Sequence, residues 1–262
     1  MTKPTLKTII YIPLLILAFL AGFIIHFPVA LLQERLQQNL PEPIQIISLQ
    51  GRASEGKAYI DLAGNPINLA WKLKWQGMFT AKLPIDLRLD AARFGQGIVS
   101  MELNTKGVNI KEIKSILYNP AHLMQVFDNK FQFLQQTTQT IKLDSFNATI
   151  PWISQWPTSM QGQGAIERVN LLGAKIDQIN VQIKTAESVP AELNPIIRLF
   201  FNANEPGWQL NASLELTPNY LFEFNAQIEA QASDKLPDWA ILLMQQQSPT
   251  QTSYQLKGKI KP

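Results

Sequence analysis

WQLNASLELTPNYLFEFNAQIEA, residues 208–230, decides the fold class. Trp208, Leu210, Ala212, Leu214 and Leu216 alternate with Gln209, Asn211, Ser213, Glu215 and Thr217. After Pro218-Asn219 the alternation resumes: Tyr220, Phe222, Phe224, Ala226, Ile228 and Ala230 form one apolar row. Successive side chains of an extended strand point to opposite faces, so a period of two gives each strand one dry and one wet face. Thr217-Pro-Asn219 between two such runs predicts a hairpin. The segment reads as antiparallel sheet with one solvated side.

The same pattern extends in both directions. Ile67, Leu69, Trp71, Leu73 and Trp75 alternate with polar neighbours, as do Leu83, Ile85, Leu87 and Leu89. Tyr254, Leu256, Gly258 and Ile260 face away from Gln255, Lys257, Lys259 and Lys261. Further strands are expected at Ile44–Gln50, Lys57–Leu62, Gly97–Thr105, Thr140–Ile150, Gly162–Leu171 and Lys175–Thr185. Within Thr140–Ile150 the apolar phase slips from Ile141 and Leu143 to Phe146, Ala148 and Ile150, which predicts a β-bulge. Gly64-Asn65-Pro66, Gly95-Gln-Gly97 and Glu205-Pro-Gly207 are turn signals.

Helix is the minority. Ile110, Ile113, Ile116 and Leu117 have helical spacing over Asn109–Leu117. A second helical stretch begins at Asn119-Pro120, with Leu123, Val126, Phe127, Phe131 and Leu134 on one face. Pro237 opens a third, running to Gln247 with Trp239, Leu242 and Leu243. Asn194–Asn202 fits either a buried strand or a short helix. The expected class is mainly β: a curved, mostly antiparallel sheet of about ten strands, an open groove or flattened barrel, with two or three short helices.

Ile9–Leu32 is an apolar run of 24 residues whose only ionisable side chain is His26. Roughly 20 such residues span a bilayer core of about 30 Å. A signal peptide has a shorter apolar region and an A-x-A-like site, so an uncleaved anchor is the reading. Lys3 and Lys7 precede the run, while Glu34 and Arg35 cancel beyond it. The positive-inside rule keeps the N-terminus in the cytoplasm and sends the bulk of the chain across. The expected organisation is a cytoplasmic N-terminus (1–8), a single-pass anchor (9–32), a linker (33–43) closed by Pro41-Glu-Pro43, and a β-rich domain (44–262). With no second charge in the span, His26 reads as a neutral imidazole at headgroup depth.

Composition excludes whole classes of chemistry. The 262 residues contain no cysteine and two histidines, His26 and His122. Disulfides, thiolate metal sites, a cysteine nucleophile and a three-histidine site within one chain are excluded. A net charge of +3, dispersed, is no footprint for nucleic acid. Gly95-Gln-Gly97 and Gly162-Gln-Gly164 each precede a strand rather than a helix, so they read as turn or bulge glycines, not phosphate cradles. Asp86, Arg88 and Asp90 share a strand face, where the intervening arginine argues for a solvated polar surface. His122 has no nucleophile or carboxylate cluster beside it in the sequence. The sequons Asn147-Ala-Thr149 and Asn211-Ala-Ser213 fall in expected strands. No catalytic, cofactor or metal residue is assigned, and no enzymatic activity is expected.

Four tryptophans belong to apolar faces: Trp71, Trp75 and Trp208 in strands, Trp239 in a helix. Trp152 and Trp156 differ. They flank Pro151 and Pro157 in a loop with Ser154 and Gln155, and are the candidate contact site for another protein or the membrane surface.

The order of features resembles the type II secretion system protein N family (general secretion pathway protein N). The likeness covers residues 44–262. A strand runs into Leu49-Gln50-Gly51-Arg52-Ala53-Ser54-Glu55-Gly56-Lys57-Ala58, then Leu69-Ala70-Trp71-Lys72-Leu73 follows. The mid-chain strand holds Gly162-Gln-Gly164-Ala-Ile166, and the chain closes on Tyr254-x-Leu256-x-Gly258. Where that family carries a G-x-x-W-x-G turn, this chain has Ala53, Ser54 and Glu55. The resemblance implies an inner-membrane, periplasm-facing accessory component of the machine that exports folded proteins across the outer membrane of Gram-negative bacteria. Its partners would be other secretion subunits, and it carries no cofactor. A looser likeness to AsmA-like envelope proteins gives the alternative: a groove, polar outside and apolar inside, that holds lipid acyl chains. Neither reading fixes an oligomeric state.

Overall fold

The structure, a computed structural model, describes residues 22–23, 26–40, 44–62, 64–74, 81–118, 140–154, 156–171, 174–186 and 195–259. Fourteen strands follow one another. The first seven are β1 (Ile44–Gly51), β2 (Glu55–Leu62), β3 (Asn65–Leu73), β4 (Lys82–Ala91), β5 (Gly95–Asn104), β6 (Gly107–Tyr118) and β7 (Thr140–Pro151). The rest are β8 (Ser159–Leu171), β9 (Ala174–Ala186), β10 (Ile196–Glu205), β11 (Trp208–Leu216), β12 (Leu221–Ala230), β13 (Gln245–Ser248) and β14 (Gln251–Lys259). Among the described residues the short α-helices α1 (Gln33–Gln37) and α2 (Asp238–Leu243) accompany them, with 3-10 turns at Val29–Leu32 and Ser233–Lys235.

All fourteen strands lie in one sheet, ordered β1 to β12, then β14, then β13. Each adjacent pair is antiparallel, so β1 to β12 form a meander in which each hairpin adds the next strand on the same side, and β14 then lies between β12 and the edge strand β13. The two edge strands, β1 and β13, do not pair with each other. The sheet is therefore open, and the flattened-barrel alternative is corrected. The physical reason lies at β1, whose outer edge is occupied by α1. The Gln33 amide donates to the Ile46 and Ile47 carbonyls, and its oxygen accepts from the Leu49 N–H. Gln37 likewise bonds the Ile44 carbonyl and the Ile46 N–H.

Directly opposed residues share a face, so the registers give each face's composition. Leu49, Ala58, Leu69, Leu89 and Gly97 follow one another across β1 to β5. Ile183, Leu199, Leu214, Phe224 and Leu256 do so across β9, β10, β11, β12 and β14. Between them Met101, Ile110 and Ala148, then Ile141, Ile166 and Ile179, carry the apolar face over β5 to β9. One sheet face is thus apolar from end to end. A single sheet layer cannot bury it alone, so the buried core is local. Three clusters form: Ile176, Ala203 and Ile228 under α2, Leu49 and Ala58 under Val29, and Leu62, Ala91 and Phe94 at the β4–β5 corner.

Several sequence expectations change here. Asn109–Leu117 is not helix but most of β6. The register skips between Ser100/Glu112 and Met101/Ile110, so Lys111 is an extra, bulged residue. That insertion places Ile110 and Ile113 on one face three positions apart, which imitates a helical period. The β-branched Val108, Ile110, Ile113 and Ile116 were the opposing signal. Asn194–Asn202 resolves as β10 from Ile196 onward. The third helix is shorter than expected, and Gln245–Ser248 is edge strand. The bulge in Thr140–Ile150 falls between Leu143 and Ser145, where the phase slip put it. The Thr217-Pro-Asn219 hairpin joins β11 to β12 in unbroken register.

Residues Pro28–Leu32, the last of the apolar run, are folded onto the domain. Pro28 bridges to Arg52, and Val29 is buried against Leu49 and Ala58. No described helix is long and apolar enough to cross a membrane. Residues 1–21, Trp75, Gln155, Ile260 and the stretch 119–139, with His122 and the second expected helix, lie outside the described residues.

Candidate functional site

An apolar cavity is built where α2 crosses the apolar face. Pro237 precedes the helix with φ −62°, its missing N–H harmless there, and Asp238 sits in the first turn where the helix dipole favours a carboxylate. Trp239 and Ala240 point into the sheet and are 6% and 0% exposed. The Trp239 ring meets Trp208 edge-on, centroids 6.1 Å apart. Beyond this contact the helix stands off the sheet and leaves a cavity of about 590 Å³. Phe201, Ala212, Phe224 and Ala226 form its floor, and Trp239, Leu243 and Met244 its roof. Small alanines on adjacent strands create the depth. Such a volume is that of a small-molecule site.

The lining is apolar apart from Tyr254 and one group that matters chemically. The Trp239 indole N–H is buried and has no hydrogen-bond partner among the described residues. A buried donor without an acceptor is costly. The other side of α2 is apolar too: Leu242 is 78% exposed, with Ile241 and Leu243 about half exposed. A helix apolar all round is not an ordinary surface helix.

The opposite face is polar. Asn180, Asn202, Asn211 and Gln227 are direct neighbours across four strands. In a parallel row Arg198 pairs with Glu215 at 2.8 Å, and Lys257 with Glu223 at 3.1 Å. The hydrogen bond from Lys257, then that from Asn225, holds the Glu223 carboxyl below its usual range.

Comparison with protein-family models, curated proteins and solved structures finds no match to this chain. The site is therefore argued from geometry. Among the described residues no group of three His, Asp or Glu side chains could hold a metal ion. Asp86 sits 2.7 Å from Lys74. That ammonium, helped by the Ser100 hydroxyl, lowers its pKa below the ordinary 3.8, opposite to what a general acid needs. Because the folded-state value is depressed, the stabilisation from this pair is present above pH 3.8 and is lost as pH falls through the folded value. Asp86→Asn is accordingly expected to be less stable than the parent at neutral pH, with the gap closing in urea titrations run below pH 3.8.

The two loop tryptophans separate. Trp156 folds back: its indole N–H donates to the Pro195 carbonyl at 2.8 Å, and its ring meets Tyr220 at 6.1 Å. Trp152 is tied by its N–H to the Asn104 carbonyl, yet is 51% exposed, and Ile153 beside it is 100% exposed. Ile153, the most exposed residue of this loop, was not singled out from the sequence. The Arg52 guanidinium lies 3.0 Å from His26 Nδ1. Gly95 has φ +130° at the β4–β5 corner, while Gly162 and Gly164 lie inside β8, so no helix N-terminus follows either pair. The cavity itself was not read from sequence. The available signal was Ile241-Leu242-Leu243 following Trp239, too many apolar residues for a surface turn.

Proposed function

We propose that this chain is an accessory component of the type II secretion machinery, anchored in the inner membrane by one N-terminal span with its sheet in the periplasm. It works by contact rather than by catalysis, and its partners are other subunits of that apparatus. The observation that carries this reading is the uninterrupted apolar face across an open sheet. A face of that extent is a contact surface for something apolar. The order of sequence features supports the secretion assignment. Deleting the chain is expected to lower extracellular levels of folded exoproteins and to trap them in the periplasm. Unchanged levels outside the cell would refute an essential role in export.

The cavity under α2 favours a second reading, a curved lipid-binding groove. Its wall of Phe201, Phe224 and Trp239 suits an acyl chain, and the unpaired Trp239 N–H suits an ester carbonyl at the chain's head. Curling of the sheet is supported by the Trp156–Tyr220 contact of 6.1 Å. The turns carrying those rings are centred four strand spacings apart, about 19 Å on a flat sheet. Native mass spectrometry of the full chain is the test. Phospholipid is expected to co-purify with the parent and to be lost in Ala226→Trp, which fills the cavity floor. A lipid-free parent excludes the groove.

A further inference from the structure

In a meander, alternate turns share a rim. The β1–β2, β3–β4, β5–β6, β7–β8, β9–β10 and β11–β12 connections lie on one rim of this sheet, and α2 lies at the other. The chain also enters the domain at the first rim. There the Ala53 N–H donates to the Phe27 carbonyl at 2.9 Å, and Pro28 bridges to Arg52. Three further properties coincide on the same rim.

The first is aromatic and apolar exposure at the turn tips. Trp152 and Ile153 protrude from the β7–β8 turn, and Tyr220 and Leu221, 44% and 48% exposed, from the β11–β12 turn. The second is the way these rings are held. Trp152 and Trp156 both place their N–H on backbone carbonyls, Asn104 and Pro195, so the polar handle is fixed while the Trp152 ring stays at the surface. That is the amphipathic arrangement of interfacial aromatics. The third is charge. Among the described residues, the charged turn positions of this rim are Arg52, Glu55, Lys74, Lys82, Lys106 and, at the end of β14, Lys259: five basic to one acidic; the sequence joining β9 to β10 adds Glu187 and Glu192, so the basic side leads by five to three. On the opposite rim they are Arg93, Glu205, Asp234, Lys235 and Asp238, with the acids in excess.

We infer that this rim lies on the bilayer surface, with Trp152, Ile153, Tyr220 and Leu221 in the interface and the basic turns over anionic headgroups. The inference rests on reading the N-terminal run as a membrane anchor. The stretch from Ile9 to Phe27, 19 residues, is still long enough at 1.5 Å per residue for a core of about 30 Å. With the span emerging beside Arg52, the sheet stands with its strands running away from the surface and its α2 rim held off it. Aromatic tips and basic turns together supply the two signals that interfacial attachment uses.

The chain has no cysteine, so single-cysteine variants label cleanly. The full chain would carry an environment-sensitive fluorophore at Leu17→Cys, Ile153→Cys or Ser233→Cys, in vesicles of phosphatidylethanolamine and phosphatidylglycerol containing both a headgroup-level and a mid-chain spin-labelled lipid. Quenching is expected at 17 and 153 and not at 233, with the loss at 153 diminishing when phosphatidylglycerol is omitted. Quenching at 17 without quenching at 153 keeps the anchor and overturns the rim contact. No quenching at 17 overturns the anchor reading and this inference with it. Protection of 153 in native membranes but not in protein-free vesicles assigns the rim to a protein and overturns the lipid contact.

Discussion

Trp239→Ala is expected to destabilise the chain by about 3–5 kcal/mol, the range for truncating a buried tryptophan. The indole is 6% exposed and packs in the cluster with Ala203, Ile228 and Leu236. A six-residue helix such as α2 has no stability of its own in water. Its position depends on this one side chain, with Ala240 beneath it. Removing the ring therefore merges the cavity with solvent and frees Ile241–Met244 as well. Trp239→Phe is expected to behave very differently. It keeps an aromatic ring against Trp208 and deletes the N–H that lacks a partner. Relief of an unsatisfied donor, about 1–3 kcal/mol, offsets the lost ring volume, so the net change is within about 1 kcal/mol. Chemical denaturation of the full chain in mild detergent measures both. If Phe costs as much as Ala, the N–H is bonded in solution, and a bound acceptor in the cavity is the explanation.

How much of this was legible in the sequence follows from what periodicity can carry. Long alternating runs such as Trp208–Leu216 and Leu83–Leu89 report one strand each, and they place their apolar side correctly. The fold class was therefore readable, and so was the Leu143–Ser145 bulge, because a bulge leaves a phase slip. The β6 bulge at Lys111 leaves the same slip, but with isoleucines at Ile110, Ile113 and Ile116 it reads as a helix. Strand identity there was fixed by pairing with Glu102 to Gly97 on β5 and with Ile141 to Ile150 on β7, partners that no local window contains. The candidate site was less legible still. Its floor comes from Phe201, Ala212 and Phe224 on three strands, and its roof from residues more than ten positions further on. Nothing in a single strand's alternation distinguishes an alanine that fills a core from one that leaves room for a ligand.

Gln33→Ala with Gln37→Ala is expected to lower stability by about 2 kcal/mol or more, from five hydrogen bonds each contributing roughly 0.5–1.5 kcal/mol when intact, discounted for exposure. The larger effect is on association. The segment reads in sequence as a polar linker, but in the fold its two glutamines act as a surrogate strand. They bond the outward N–H and C=O groups of Ile44, Ile46, Ile47 and Leu49. Without them β1 presents an apolar, unpaired edge on which Ile47 is already 60% exposed, a template for edge-to-edge pairing. The other end of the sheet is guarded by different means. There β13 covers only Gln251–Ser253, and the remaining edge of β14 carries Gln255, Lys257 and Lys259, the charged edge that discourages pairing. The double variant is therefore expected to form concentration-dependent oligomers through β1, with amide protection at Ile46 and Leu49 lost in the dilute monomer and regained in the oligomer. Sedimentation and hydrogen exchange on the full chain read both. Oligomers that instead protect Tyr254–Lys259 would mean that β14 is the adhesive edge and that the glutamines of α1 serve only to hold the anchor's exit against the sheet.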